Sequence, residues 1–133
     1  MVTDDIKPDR RYTKDHEWAQ PDDGDLVVGI TAFAVEQLGD ITLVNIDLAE
    51  GDHVDAHAPF GTIESVKTLS DLFAPTAGTV VKINQALEET PELINQDCWG
   101  KGWMIRLKPD TDEAVQDLLD ATAYEALVKS SDT

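Results

Sequence analysis

Residues 12–108 break into short β-forming runs, and a turn signal follows each run within a few residues. That rhythm commits the middle of the chain to an all-β sandwich or barrel rather than to long helices. Residues 12–18 read as a first strand. Residues 20–25 read as a turn, because the Asp23-Gly24 pair favours positive φ. Residues 26–30 resume a strand. Thr31 then caps a short helix over residues 32–38, and Gly39 ends it. Residues 41–48 are β-rich and close at the turn Glu50-Gly51-Asp52. Residues 58–64 and 69–74 are two runs flanking Ser65-Val66-Lys67-Thr68, which sets Lys67 at a hairpin tip. Residues 75–78 turn the chain into a strand over 79–83. In 103–108 the alternation places Trp103, Ile105 and Leu107 inward and Met104, Arg106 and Lys108 outward. Gly51-Asp52-His53-Val54 is echoed by Gly78-Thr79-Val80, which suggests two similar β half-units meeting around Lys67.

The C-terminal part has a different period. Thr111 is a candidate N-cap, followed by Asp112 and Glu113. Val115, Leu118, Leu119, Tyr124, Leu127 and Val128 recur at helical spacing, as one helix or two short ones packing an apolar stripe back onto the β layer. The 133 residues fit one domain. Its divisions are an extension over 1–10, a β domain with its C-terminal helix over 11–129, and a frayed tail over 130–133.

Charge and composition exclude several function classes. A net charge of −17 repels nucleic acid phosphate and anionic lipid and suits docking onto basic protein surfaces. The same charge also serves plain solubility or adaptation to salt, so it names no partner. No stretch has the length and apolarity of a membrane span. Residues 1–11 lack an apolar signal core and carry Asp4, Asp5 and Asp9, which an organellar presequence avoids, so a cytoplasmic location is expected. Cys98 has no second thiol to pair with and no histidine beside it, and reads as a packed or half-exposed thiol. No Ser-His-Asp order, glycine-rich phosphate loop or Cys/His metal spacing is present. His53 and His57 are four apart, but in a β-rich stretch that spacing makes no helical metal face. Stand-alone catalysis is therefore not expected.

The segment Glu64-Ser65-Val66-Lys67-Thr68 is the most informative. A lysine that accepts an acyl cofactor must project its amine into solvent and into a modifying enzyme, and a hairpin tip does this. Val66 is expected to hold the turn by packing inward. Taken alone, a lysine at a tip is an ordinary solvated residue. Read on through Leu69-Ser70-Asp71-Leu72-Phe73-Ala74-Pro75, however, the stretch resembles the lipoyl-attachment region of glycine cleavage H proteins. The resemblance covers residues 11–128. It includes Tyr12-Thr13-Lys14-Asp15-His16-Glu17-Trp18, Val28-Gly29-Ile30-Thr31, Gln37-Leu38-Gly39-Asp40, Pro91-Glu92-Leu93-Ile94-Asn95, Gly102-Trp103 and Ala123-Tyr124-Glu125-Ala126-Leu127. Biotin carriers differ in setting their lysine between methionines. Lipoyl domains of 2-oxoacid dehydrogenases differ in an Asp-Lys-Ala turn and in lacking the flanking N-terminal strand and C-terminal helix.

The resemblance implies a mainly β, lipoyl/biotinyl-type barrel-sandwich hybrid with a short internal helix and a C-terminal helix. It implies lipoic acid amide-linked to Lys67, with Glu64, Ser65 and Val66 as the surrounding motif. Such a protein is a carrier in glycine catabolism and one-carbon metabolism. A pyridoxal-phosphate decarboxylase, the P protein, places the aminomethyl group of glycine on a lipoyl sulfur. The T protein, an aminomethyltransferase, moves the carbon to tetrahydrofolate, and the L protein, a dihydrolipoamide dehydrogenase, reoxidises the arm. A lipoate ligase or a lipoyl/octanoyl transferase installs it, and a carrier visiting several enzymes is expected to be a monomer. A cation sheltered in a cleft needs an acidic partner, and the resemblance assigns Glu17 and Asp71 to that cleft. His16 reads as a structural residue. Trp18, Trp99 and Trp103 read as core or cleft wall. Asp15, Thr90 and the Asp97-Cys98-Trp99 run depart from the common family pattern. A relay protein that donates lipoyl groups to other enzymes is the alternative, since the lysine motif does not separate the two.

Overall fold

The computed structural model describes residues 6–131. The strands are β1 (Arg11–Tyr12), β2 (Glu17–Asp22), β3 (Asp25–Ile30), β4 (Ile41–Ile46), β5 (His53–Val54), β6 (Pro59–Ser65), β7 (Leu69–Phe73), β8 (Gly78–Ile83) and β9 (Ile105–Pro109). The helices are α1 (Ala32–Leu38), α2 (Ala86–Glu89), α3 (Leu93–Asp97), α4 (Asp112–Gln116) and α5 (Ala121–Ser131). One sheet has six strands in the order β1-β2-β3-β9-β8-β5, and the other has three in the order β4-β6-β7. The molecule is thus mainly β, a two-sheet sandwich with a short internal helix and a C-terminal helix, as the sequence implies. Among the described residues no helix is long and apolar enough to cross a membrane.

Between the sheets lies the larger core, which includes Val28, Ile30, Ile41, Val44, Phe60, Ile63, Leu72, Val80, Ile105 and Leu107. In β9 Ile105 and Leu107 alternate with less buried residues, as a half-buried strand requires, whereas in β4 and β6 register shifts bring Ile41 and Val44, and Phe60 and Ile63, three residues apart, into the same core. A second cluster, Tyr12, Trp18, Phe33, Tyr124 and Val128, seats α5 on the outside of β1 and β2. Tyr12 and Tyr124 stack at 4.6 Å between centroids. The Trp18 indole N–H donates to the Cys98 carbonyl at 2.9 Å, which satisfies the one polar atom of a ring only 1% exposed.

Several expectations need correction. The first strand is not continuous over 12–18: Thr13–His16 form a turn, closed by the His16 N–H on the Thr13 carbonyl at 3.1 Å. His16 sits there at φ 69°. The turn at 20–25 shrinks to Asp23-Gly24, both at positive φ, with Asp22 and Asp25 already paired. Met104 was expected outward but is fully buried, because β9 begins only at Ile105 and the Met104 N–H binds the Val28 carbonyl at 2.7 Å. The two echoed turn-strand units do not meet around Lys67. They pair with each other as β5 and β8, His53 opposite Thr79. The C-terminal apolar period resolves into two helices, whose link binds Tyr12 through Leu119 in both directions at 2.8 and 2.9 Å. Ser130 and Ser131 belong to α5 rather than to a tail, and Asp132 and Thr133 lie outside the described residues. In the extension, residues 1–5 lie outside them too. Ile6 packs on the second cluster, and the Lys7 backbone exchanges hydrogen bonds with the Tyr12 hydroxyl.

Gly61 shows how tightly the small sheet is built. It lies in β6 beside a register shift, and a Cβ there would fall on the Asn45 carbonyl oxygen and 3.1 Å from Ile46 Cα, both backbone atoms of β4. Backbone cannot swing aside as a side chain can. Gly61→Ala is therefore expected to cost about 2 kcal/mol or more, read as a lower urea midpoint at unchanged m-value. An unchanged midpoint would mean that β4 and β6 are not in this register.

Candidate functional site

The hairpin between β6 and β7 is held by one hydroxyl. Ser65 is buried, and its Oγ accepts the N–H groups of Lys67 and Thr68, each at 3.2 Å. Its own N–H binds the Thr68 carbonyl at 2.8 Å. A serine hydroxyl can satisfy the tip's backbone in this way without the turn being glycine-rich. Val66 does not pack inward as the sequence suggested: it is 66% exposed. Its backbone carries the load instead, with the N–H donating to the Asp40 carbonyl at 3.0 Å. Lys67 is exposed at the tip, and Glu64 stands exposed on the outer face of β6.

The tip rests on the end of α1. Thr31 caps this helix through the Ala34 N–H, and Gly39 closes it at φ 84°, a conformation that suits glycine. The aliphatic part of Lys67 lies over Gly39, where a Cβ would stand 3.4 Å from Lys67 Cε. Asn95 of α3 locks this corner: its side-chain amide donates to the Gly39 carbonyl at 3.0 Å and its oxygen accepts the Ile41 N–H at 2.9 Å.

Beside the tip is a cleft of about 360 Å³. Its walls are the Asp15-His16-Glu17 corner, Phe33, Ala34, Gln37 and Leu38 of α1, and Ile63, Ser70, Asp71 and Leu72 of β6 and β7. The α1 wall ends at Leu38, one residue before the glycine that Lys67 covers. Glu17 and Asp71, far apart in sequence, thus line one cleft, but in different states. Asp71 is exposed on the edge strand β7. Glu17 is 2% exposed; Thr13 Oγ1 donates to its Oε1 at 2.9 Å and the Phe73 N–H to its Oε2 at 3.2 Å. Burial outweighs those two donors and pushes the carboxyl up to about 8, so Glu17 is largely protonated at neutral pH.

His16 also faces the cleft. Its Nδ1 is within 2.9 Å of the Tyr124 hydroxyl, which lies 2.7 Å from Thr31 Oγ1, and its ring packs on Phe33 at 4.8 Å. Burial holds the imidazole below its ordinary value. These bonds fit the structural reading of His16. The tryptophans do not line the cleft: Trp18 is core, while Trp99 and Trp103 pack partly buried against the second cluster. Cys98 is buried, and the described residues contain no group of three or more potential metal ligands. Asn95, Thr13, Phe33 and Ser70 were not singled out from the sequence. Thr13, four residues before Glu17, and Ser70, beside Asp71 in the Lys67 hairpin, are local to residues the sequence marked; Phe33 and Asn95 reach the site from α1 and α3.

The Glu17 carboxyl has a consequence for stability. The unfolded chain loses this proton near 4.5 and the folded chain near 8. The native state therefore holds more protons between those values, and its stability falls as pH rises through that window. Glu17→Gln should lack this component. The difference in unfolding free energy between wild type and variant should move by a few kcal/mol in the variant's favour from pH 4.5 to pH 8 and then level off. Parallel curves would show that Glu17 ionises normally in the fold.

The glycine cleavage H-protein family model matches residues 10–131. The chain is 52% identical to the glycine cleavage system H protein of Bacteroides thetaiotaomicron, over 89% of this chain and 93% of that one. It is 48% identical to the probable glycine cleavage system H protein of Natronomonas pharaonis, over 93% and 97% respectively. The crystal structure of a glycine cleavage system H protein from Mycobacterium marinum superposes with a TM-score of 0.84 at 40% identity, covering 93% of this chain and 99% of that one. The chain belongs to the glycine cleavage H-protein family.

Proposed function

We propose that Lys67 bears an amide-linked lipoyl arm and that the chain carries the aminomethyl cargo of glycine from the P protein to the T protein, with the L protein restoring the arm. The observation that supports this most is the conjunction at the tip. An exposed primary amine stands on a turn locked by Ser65, its aliphatic stem lies over a glycine, and a cleft with carboxyl-bearing walls opens one residue further on. The residues fit the group. The amine is accessible for acylation, and its stem passes over Gly39 in van der Waals range. Residues 11–129 form the carrying unit in this reading.

When bound, lipoate supplies a disulfide–dithiol couple and a sulfur that takes the cargo. The chain's own residues do the remaining work. Ser65 and Asp40 fix the direction in which Lys67 leaves the surface. Phe33, Ile63 and Leu72 give the cleft apolar walls that exclude water from the cargo. Glu17 waits as a neutral acid, so the empty cleft does not hold a bare buried charge. A cationic amine arriving beside it favours the ionised carboxylate. The proton leaves for solvent, and the neutral wall becomes a counter-ion. Exposed Asp71 adds negative charge at the rim, on the path by which a cation enters. His16, held neutral by burial, does not compete with the cargo's charge.

The test is exchange of labelled bicarbonate with the carboxyl of glycine, catalysed by P protein. Chain treated with lipoate ligase, lipoic acid and ATP should support exchange, and Lys67→Arg treated identically should reduce it to the rate without carrier while melting at the wild-type temperature. Exchange that persists in Lys67→Arg would remove Lys67 from the role.

A further inference from the structure

His16 is the end of a closed string of three polar groups. Its Nδ1 lies 2.9 Å from the Tyr124 hydroxyl, and that hydroxyl lies 2.7 Å from Thr31 Oγ1. Thr31 Oγ1 also accepts the Ala34 N–H at 3.2 Å. Tyr124 is fully buried and Thr31 is 1% exposed, so water does not reach the string. Among the described residues neither hydroxyl has a further partner. The hydrogens available then fix every direction. There are two gaps, Thr31 to Tyr124 and Tyr124 to His16. With Nδ1 bare, each hydroxyl supplies one hydrogen: Thr31 donates to Tyr124, and Tyr124 donates to Nδ1. With a hydrogen on Nδ1 as well, one buried hydroxyl is left without an acceptor. That penalty disfavours the second arrangement by roughly tenfold or more. A neutral ring with Nδ1 bare carries its proton on Nε2. The imidazolium, protonated on both nitrogens, meets the same penalty, and burial opposes it further against a smaller pull from Asp15.

We infer that Thr31 and Tyr124 lock His16 into the tautomer with its proton on Nε2, so that the ring meets the cleft as a donor and cannot act there as a base on the cargo. This rests on the carrier reading above. Nδ1 is turned to the interior, and the ring lines the cleft against Phe33, so the Nε2 edge is the one the cleft meets. Nε2 has no hydrogen-bond partner among the described residues. The titratable groups around the ring are Asp15 and Glu17 at its own corner, Tyr124 of α5 and Asp71 across the cleft. The cargo makes the tautomer matter. Its amine is one carbon away from a sulfur, and while protonated it has no lone pair to give. Once a base takes a proton, the nitrogen lone pair forms a C=N bond, the C–S bond breaks, and the sulfur keeps the electron pair. Water then adds to the carbon. The cargo is lost as formaldehyde and ammonia, and the sulfur ends as a thiol. Glu17 opposes this loss, since a carboxylate beside the amine favours its charged form. A histidine with a bare Nε2 would promote it, because imidazole exchanges protons near neutral pH. A ring with Nε2–H has no lone pair to offer there. Thr31 and Tyr124 do not line the cleft; they are positioning residues that act through His16.

The first measurement needs no cofactor. Nitrogen NMR of the full, unmodified, isotope-labelled chain at neutral pH reports which ring nitrogen of each histidine carries hydrogen, and His16→Asn identifies the His16 signals. The expected pattern for His16 is a protonated Nε2 and a bare Nδ1. A hydrogen on Nδ1, or an averaged pattern, overturns the proposal. Tyr124→Phe removes one link and keeps the ring that stacks on Tyr12, and should turn His16 into a mixture of tautomers. The second measurement uses chain lipoylated with lipoate ligase, loaded by P protein with glycine and separated from it, and follows formaldehyde release. Tyr124→Phe should release it about tenfold faster than wild type, or more. Adding His16→Asn to Tyr124→Phe should bring the rate back to within about twofold of wild type, because the base is gone. Asparagine tolerates the left-handed backbone of this position. Acceleration that survives in the double variant would show a loosened cleft rather than a freed base, and would overturn the proposal. So would an unchanged rate in Tyr124→Phe. A wild-type chain that P protein fails to load would strike the carrier reading itself and, with it, the role given to the tautomer, whatever the spectra show.

Discussion

The geometry around Lys67 depends on a short set of polar bonds that join three separate elements. The Val66 N–H binds the Asp40 carbonyl, and Asn95 holds Gly39 and Ile41 on either side of that residue. Through them the β6–β7 tip, the end of α1 and the start of α3 act as one corner. A hairpin tip projecting from an edge is ordinarily free to bend. Here the turn is closed internally by Ser65 and tied externally by Asp40, so the backbone from which Lys67 projects is fixed beside Gly39. The cleft is then fixed relative to that backbone, because one of its walls is built on the two strands that the tip joins.

The cleft sets a different problem, that of a net charge of −17. On the proposed carrier reading the cleft receives a cationic cargo and needs a negative partner, yet a permanently ionised carboxylate in a dry pocket is costly when the cargo is away. Glu17 resolves this by burial. With two donors on it but little water, it holds a proton near neutral pH and can release it to a cation. Its position depends on the backbone around it. Thr13–His16 turn sharply, with His16 in a left-handed conformation held on Tyr124, and this break in the first strand aims Glu17 at Phe73 across the sandwich. Strain of this kind in a non-glycine residue is kept where the surroundings over-determine it, and α5 supplies those surroundings.

Much of this was legible in the sequence because it was local. The Thr31 cap, α1 and its Gly39 stop follow from capping chemistry within a few residues, and they stand as expected. The β6–β7 hairpin follows from two apolar runs around a polar tetrapeptide. What was not legible is what depends on distant partners. Residues 12–18 alternate well enough for a strand, but Tyr12 is recruited by Leu119 and Tyr124 of the C-terminal region, and the segment between folds into a turn. Met104 alternates outward by period and is turned inward by Val28. Helices α2 and α3 are too short for a hydrophobic period, so Asn95 gave no sign of its clamp. For the site, the motif pointed to Lys67, Glu17 and Asp71. It did not show that Glu17 is buried and Asp71 exposed, nor that Val66 faces solvent.

The central claim is that this fold selects one lysine for modification, and the most direct test is to map the modification. The full chain is incubated with lipoate ligase, lipoic acid and ATP, digested, and its lysine-containing peptides are sequenced by mass. The account predicts a lipoyl group on Lys67 and on no other lysine. Modification spread over several lysines, or fixed on another one, would contradict it.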